Sequence, residues 1–215
     1  MFDWVYLVIV IVVVFVSMVL HELMHGLTAY WLGDDTAKEH GRLTLNPIKH
    51  IDPIMTIALP LFLAVMGGPI FGGAKPVPFN PHKVRYGEWG AALVAIAGPL
   101  TNLLIAFVVF GVGVLSGVIT SAGVEATLAG QIVITAVSVN LGFFVFNILP
   151  IPPLDGSRVL YALAPDPVKA GMEYIERYGI FLVFGLVLIG ASVLGQIMAG
   201  GINGILQLFM TIFRV

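Results

Sequence analysis

The chain has 215 residues, of which 59% are hydrophobic and only 10% are charged, and its mean hydropathy is +1.02. A soluble domain carries about 25% charged residues, so this composition excludes an ordinary soluble domain and indicates an integral membrane protein. The apolar runs are long and not alternating, which predicts membrane helices. The net charge of −2 gives no indication of a nucleic-acid partner, and the absence of cysteine excludes thiolate metal ligands.

Long apolar runs predict an all-α polytopic membrane protein. Its three-helix core is expected at about 4–32, 88–119 and 131–149. One or two C-terminal membrane helices follow, because 179–199 could span a membrane and 201–213 is shorter. Since no separate soluble domain interrupts these runs, residues 1–215 are predicted to form a single membrane-embedded domain.

The basic residues predict how the chain is oriented. Every Lys and Arg except Arg214 falls in the loops 34–52, 72–88 and 154–178, and the positive-inside rule places these loops in the cytoplasm of a multi-pass protein of the cell membrane. The apolar run that begins at residue 54 therefore has both flanks on one side. We expect a re-entrant segment followed by a Gly/Pro-rich hairpin, together 54–81, with a plain span as the alternative.

An HExxH pentapeptide lies near the cytoplasmic end of the first predicted helix. His21 and His25 are four residues apart, so both imidazoles share a helix face and can bind one ion. Glu22 can reach a water on that ion without being a ligand. Ionisable groups at membrane depth are costly and generally functional. The spacing is typical of a zinc hydrolase, and the alternative is that both histidines hydrogen-bond to neighbouring helices.

A catalytic zinc site takes three protein ligands and a water, so one more ligand must come from elsewhere in the chain. The candidates by residue type are His40, His50, Asp52, His82, Glu88 and Asp155. Asp155 is the best of these, because it follows the helix 131–149 and emerges at the same face as the two histidines. From spacing alone, an ordinary surface turn at Asp155 explains the sequence equally well. His40 and His50 are expected at the membrane interface.

Two motifs resemble those of the site-2 protease family, the intramembrane zinc metalloproteases. Residues 21–25 are similar to the first family motif. Residues 147–156, Asn-Ile-Leu-Pro-Ile-Pro-Pro-Leu-Asp-Gly, look like the second motif, and residues 98–102, Gly-Pro-Leu-Thr-Asn, resemble a feature of the helix between them. The similarity covers about residues 16–178. Because no PDZ domain is inserted between the motifs, the chain resembles the compact subgroup.

The resemblance implies three core helices around one zinc ion and peptide hydrolysis inside the bilayer. It implies His21, His25 and Asp155 as the zinc ligands and Glu22 as the base. Asn147 is a candidate donor to the tetrahedral oxyanion, and Asn102 is a second candidate. For each asparagine, hydrogen bonding between helices is the alternative.

Two hypotheses concern how a substrate reaches the site. The segment 72–81 could offer a strand edge to an unwound substrate peptide. The glycines between 185 and 201 could loosen a lateral gate, although close helix packing through small residues explains them better.

The sequence thus predicts a zinc endopeptidase that cleaves membrane-anchored proteins near the cytoplasmic side, with such proteins and the lipid bilayer as its partners. A metal-binding or metal-transporting membrane protein is the alternative. It is disfavoured because helices 88–119 and 131–149 carry almost no acidic or histidine groups that could form a pathway. An inactive scaffold would not need Glu22 beside both histidines.

Overall fold

The computed structural model describes residues 3–58, 73–188 and 190–215. Within these ranges the chain forms eight α-helices: α1 Trp4–Trp31, α2 Thr36–Glu39, α3 Gly87–Leu115, α4 Leu128–Asn147, α5 Gly156–Leu163, α6 Asp166–Glu176, α7 Gly179–Leu188 and α8 Ala191–Phe213. Two short irregular helices, a 3-10 turn at Pro47–His50 and a π-helical turn at Pro53–Ala58, follow α2. Strands β1 (Ile119–Thr120) and β2 (Gly123–Val124) pair in an antiparallel hairpin between α3 and α4.

Four of these helices are long and apolar enough to cross a membrane, namely α1, α3, α4 and, from Ser192 onward, α8. The predicted all-α polytopic membrane fold is therefore confirmed. The predicted core helices differ from the observed ones mainly at their ends. Helix α3 ends at Leu115 and not near 119, because Gly117 adopts a φ of 77° and turns the chain into the β-hairpin. Helix α4 begins at Leu128 and not near 131, because Thr127 caps it through the Gly130 amide.

Helices α1, α3 and α4 pack around one another, and α8 packs along the side of the bundle that α3 and α4 form. The shared core on that side consists of buried apolar residues: Ala106, Phe110, Ile119, Val137, Leu141 and Phe209. Gly111 of α3 receives the Phe213 ring, since a Cβ at Gly111 would lie 2.7 Å from that ring. Exposed apolar side chains such as Leu104 cover the outside of the bundle, as expected of a surface that faces lipid.

The C-terminal helices divide at a different place from the predicted one. The sequence predicts segments 179–199 and 201–213, but α8 runs without a break through the Gly200-Gly201 pair. A Cβ at Gly201 would lie 2.8 Å from a methyl carbon of Val145 in α4. The glycine pair therefore permits close helix packing and does not end a helix. Helix α7, with 10 residues, is too short to span a bilayer by itself.

Most of the predicted re-entrant segment, residues 59–72, lies outside the described residues. The part of the predicted hairpin that the structure describes, residues 73–80, forms neither helix nor strand. This 73–80 segment is bound to the region that follows α1. The Lys75 amide donates to the His50 carbonyl at 2.9 Å, and the Arg42 guanidinium donates to the Lys75 carbonyl at 2.6 Å. At its other end the Asn80 amide donates to Asp34.

The three basic loops of the sequence lie on one side of the helix bundle. The Arg85 amide donates to the Leu32 carbonyl at 2.9 Å, which joins the start of α3 to the end of α1. Lys169 of α6 pairs with Glu88 of α3, which brings the loop after α4 to the same side. This arrangement agrees with the grouping that the positive-inside rule requires, and the cytoplasmic orientation itself stays a prediction.

Candidate metal centre

His21, His25 and Asp155 come together although Asp155 is distant in sequence. The two Nε2 atoms lie 3.0 Å apart, and Asp155 Oδ2 lies 3.2 Å from the first and 3.5 Å from the second. One possible ligand atom of each residue therefore lies within 4.8 Å of those of the other two. Among the residues that the structure describes, these three form the one group of His, Asp and Glu side chains that could hold a metal ion. Two imidazole nitrogens and a carboxylate oxygen are a donor set that zinc accepts.

The other ring nitrogen of each histidine faces an oxygen atom of α3. His25 Nδ1 lies 2.7 Å from the Val94 carbonyl oxygen, and His21 Nδ1 lies 2.6 Å from Asn102 Oδ1. A carbonyl only accepts hydrogen bonds, so His25 Nδ1 carries the proton and donates it to Val94. In the neutral imidazole, Nε2 of His25 is then the unprotonated nitrogen that can bind a metal ion.

Gly98 of α3 leaves the space in which an ion would lie. A Cβ added at Gly98 would be 2.4 Å from His25 Nε2 and 2.6 Å from His21 Nε2. Both distances are far shorter than a van der Waals contact, so any larger residue would occupy the volume between the ligand atoms. The absence of a side chain at this position fits a metal ion bound to the two imidazoles.

Asp155 reaches the histidines because the chain folds back tightly after α4. The Leu154 amide donates to the Ile151 carbonyl at 2.9 Å, and α5 begins directly after Asp155. Gly156 makes this return possible, since a Cβ there would lie 2.1 Å from the Ile148 carbonyl oxygen. The start of α5 thus packs against the end of α4, and the carboxylate between them turns towards α1.

Glu22 lies beside the histidine pair and is held by the 73–80 segment. Its Oε2 atom accepts the backbone N–H of Val77 at 2.8 Å. Val77 is buried, so this contact places a piece of ordered backbone directly against the predicted base. The sequence does not predict this contact. The prolines of the segment indicate that it is not helical, but they do not indicate which amide faces Glu22.

The two candidate oxyanion donors are both engaged within the helices. Asn147 donates to the Phe143 carbonyl of its own helix at 3.0 Å, and its predicted role in catalysis stays a prediction. Asn102 is fully buried and donates to Asn140 of α4 at 2.9 Å. For Asn102 the alternative of hydrogen bonding between helices is therefore what the structure shows.

The other five candidates for the third ligand make contacts away from the two histidines. In chain order these contacts are His40 with the Thr36 carbonyl, His50 with the Thr44 carbonyl, Asp52 with the Ile54 amide, the His82 amide with Asn80, and Glu88 with Lys169. The expected position of His50 at the membrane interface stays a prediction. His50 is fully buried, because it lies beneath the 73–80 segment, to which its carbonyl is bonded.

Several known proteins are similar to this chain. A Bacillus subtilis protein named "Putative zinc metalloprotease YwhC" is 42% identical over 213 residues, which cover 97% of this chain and 93% of that protein. A Mycolicibacterium smegmatis protein named "Putative zinc metalloprotease Rip2" is 30% identical over 177 residues, which cover 80% of this chain and 63% of that longer relative. A third, from Methanocaldococcus jannaschii and named "Putative zinc metalloprotease MJ0611", is 40% identical over 67 residues, or 31% of each chain.

No family model matches the chain. No solved structure matches it either. The names of the relatives imply zinc as the metal, which agrees with the donor set of two histidines and one aspartate. The similarity to the Bacillus subtilis protein extends over 97% of this chain, so it includes both motifs and the sequence between them. On this basis the chain is a zinc metalloprotease and belongs to the site-2 protease family.

Proposed function

We propose that this protein is an intramembrane zinc endopeptidase that hydrolyses peptide bonds in or near the transmembrane segments of membrane-anchored proteins, as in regulated intramembrane proteolysis. Residues 1–215 would form one membrane-embedded metalloprotease domain with one zinc ion. The observation that carries the proposal is the convergence of His21, His25 and Asp155 within 4.8 Å, with two of the three on a helix able to cross a membrane.

The position of the pair along α1 supports cleavage within the bilayer near one surface. At about 1.5 Å per residue, His25 and His21 lie about 9 Å and 15 Å before the end of α1 at Trp31. That end of α1 is the side on which the basic loops gather. The positive-inside rule assigns this side to the cytoplasm, so we place the active site towards the cytoplasmic side of the cell membrane.

Each residue of the site has a distinct role in the proposed reaction. The two imidazoles and the Asp155 carboxylate would hold zinc, which when bound acidifies a water molecule and polarises a carbonyl. Glu22 takes the proton from the attacking water and passes it to the leaving amine nitrogen. The Val77 amide fixes the Glu22 carboxylate in one orientation. Asn147 would donate to the developing oxyanion after its side chain leaves the Phe143 carbonyl.

A substrate helix must unwind before its carbonyl groups can reach the site, because they are already hydrogen-bonded. The 73–80 segment lies beside Glu22 and is the candidate surface for the unwound peptide. Its amides at Lys75, Val77 and Asn80 donate to the protein, and Pro76 and Pro78 have no amide hydrogen. A substrate strand would therefore pair with the Phe79 amide and with carbonyl oxygens of this segment.

The experiment that tests the proposal compares the purified parent chain with Glu22→Gln in liposomes that contain a single-span membrane protein as substrate. We expect both proteins to bind one zinc ion per chain and only the parent to cleave. Glu39→Gln is the matched control, because Glu39 is an exposed carboxylate at the end of α2, and it should cleave like the parent.

Equal cleavage by Glu22→Gln and the parent would refute the assignment of the base. A parent that binds zinc and cleaves no membrane protein would instead favour the alternative of a metal-binding or metal-transporting protein. A parent that binds no zinc would refute both.

A further inference from the structure

A closed ring of buried polar side chains joins the three core helices at the metal centre. Starting from His21 on α1, the ring passes through Asn102 on α3 and Asn140 on α4 and returns to α1 at Ser17. The successive distances are 2.6 Å, 2.9 Å and 2.8 Å. Asn102 and Asn140 are fully buried, and Ser17 is 2% exposed. Ser17 and His21 are four residues apart on one face of α1, so the backbone of that helix completes the ring.

The orientation of both asparagine amides follows from a single backbone group. Asn140 Nδ2 lies 2.8 Å from the Ala136 carbonyl oxygen, which can only accept a hydrogen bond, so an N–H must face it. Asn140 Oδ1 then points to Asn102 and requires a donor, which is Asn102 Nδ2. Asn102 Oδ1 is left facing His21 Nδ1. An amide oxygen cannot donate, so His21 Nδ1 must carry the proton.

We propose that Asn102 and Asn140 are positioning residues that hold His21 in the tautomer protonated at Nδ1 and so keep its Nε2 available for zinc. This inference rests on the zinc site proposed above. His25 obtains the same tautomer directly from the Val94 carbonyl. His21 obtains it through two side chains, because its Nδ1 faces a side-chain amide that could otherwise rotate by a half turn and present N–H in place of oxygen.

The apolar surroundings of the ring favour one orientation of both asparagine amides. Each asparagine is fully buried in a run of apolar residues, so an unpaired amide there costs about 1–3 kcal/mol. A half turn of Asn140 would set its oxygen against the Ala136 carbonyl and its N–H against that of Asn102. A half turn of Asn102 would set its N–H against that of His21 Nδ1 and its oxygen against Asn140 Oδ1. The observed orientation satisfies Ala136, Ser17 and His21 together. Groups that orient a zinc-binding histidine in this way typically change metal affinity 10–100-fold when removed.

The first test needs no variant. In the metal-free full chain, prepared with a chelator and labelled with ¹⁵N in its imidazoles, nitrogen chemical shifts report which ring nitrogen of each neutral histidine carries the proton. The His21 signal is assigned by its loss in His21→Gln. We expect His21 to be protonated at Nδ1. A neutral His21 protonated at Nε2, or an even mixture of both forms, would overturn the inference.

The second test uses Asn102→Leu and Asn140→Leu, with Thr101→Val as the matched control. Thr101 lies in the same turn of α3 but donates to the Ala97 carbonyl of its own helix. We expect each leucine variant to weaken zinc binding 10–100-fold and to shift His21 towards the other tautomer, while His25 keeps its Nδ1 proton. Thr101→Val should resemble the parent in both measurements.

The two asparagines act in series, so the double variant should lose little more zinc affinity than Asn102→Leu alone. If both leucine variants keep the parent's zinc affinity and the parent's His21 tautomer, the asparagines have only a packing role and the inference is wrong. This result is distinct from a failure of the zinc site itself, in which the parent would not bind zinc. The tautomer measurement on the metal-free chain stays informative even then.

Discussion

Val77 donates its backbone N–H to Glu22 across 55 residues of sequence, at a distance of 2.8 Å. Because Glu22 follows the first histidine of the metal centre directly, this contact ties the 73–80 segment to the residue proposed as the base. The segment is held in turn by Arg42, which donates to the carbonyl groups of Lys75 and Pro76 at 2.6 Å and 3.3 Å. The orientation of the Glu22 carboxylate thus depends on backbone that lies outside the membrane-crossing helices.

Val77→Pro removes this N–H while keeping the chain non-helical, and it should reduce kcat. A hydrogen bond to a charged group is worth about 1.5–3 kcal/mol, so we expect a loss of about ten- to a hundredfold. Zinc content should not change, because the lost hydrogen bond is to Glu22, which is not a proposed metal ligand. Cleavage rates and metal analysis check both expectations. Val77→Ala is the control, since it keeps the N–H, and a similar kcat loss in that variant would show that side-chain packing is responsible.

Phe79→Pro tests the strand-edge hypothesis separately, because it leaves the contact between Val77 and Glu22 in place. If an unwound substrate pairs with the 73–80 segment, a proline at this position should raise KM and lower cleavage without loss of zinc. Measured against the parent at several substrate concentrations, unchanged kinetics would discard strand pairing at Phe79.

Asp155→Ala should remove zinc from the purified protein. The carboxylate oxygen lies 3.2 Å and 3.5 Å from the two histidine nitrogens, so its loss leaves two protein ligands in place of three. Because groups that merely orient a ligand are worth 10–100-fold in affinity, loss of a ligand should exceed about a hundredfold. Metal analysis after dialysis measures it. Asp166→Ala, at an exposed carboxylate in α6, should retain zinc, and zinc retained by Asp155→Ala would refute Asp155 as the third ligand.

Helix placement and the metal group could be predicted from the sequence because both depend on local rules. The spacing of His21 and His25 fixes a shared helix face, whatever the helix packs against. Asp155 could be selected because the direction of the chain through the preceding helix determines on which side it emerges. Spacing alone left an ordinary surface turn at Asp155 equally possible, and the resemblance to a family favoured a metal ligand. The structure brings these three residues together.

The contacts that support the site could not be predicted from the sequence. Asn102 and Asn140 are visible as polar residues in apolar runs, but their partners depend on how each helix is rotated about its axis. The amide of Val77 could face Glu22 or solvent, and composition does not distinguish the two. The Gly200-Gly201 pair indicates a break because glycine often ends helices, whereas packing against α4 overrides that local preference.

Asp34 should make the stability of the protein depend on pH. Burial alone would raise the pKa of its carboxyl group, but hydrogen bonds from the Thr36 hydroxyl and the Asn80 amide lower this pKa below its ordinary value. A group with a lowered pKa in the folded state stabilises that state above its unfolded pKa, about 4 for aspartate, and loses this effect as the pH falls through the folded value.

Asp34→Asn should therefore lower Tm at neutral pH, and the difference from the parent should shrink as the pH falls below about 4. Thermal unfolding in detergent at several pH values measures this. Asp166→Asn, at an exposed position, is the control. A constant difference between Asp34→Asn and the parent at all pH values would contradict the role of the ionised Asp34 carboxylate.

Gly98→Ala should abolish zinc binding and cleavage without unfolding α3. The added Cβ would lie 2.4 Å from His25 Nε2 and 2.6 Å from His21 Nε2, in the space that an ion bound to both would use. Both imidazoles are hydrogen-bonded to α3, and these bonds oppose their movement away from the added methyl group. Alanine favours a helix by about 1 kcal/mol over glycine, so the helix itself should not be lost. Gly142→Ala in α4 is the control, since nothing lies within 4 Å of a Cβ there. Circular dichroism should be similar for both variants, and metal analysis should find zinc only in the control. Full zinc content in Gly98→Ala would show that the ion lies elsewhere and that the three proposed ligands do not share it.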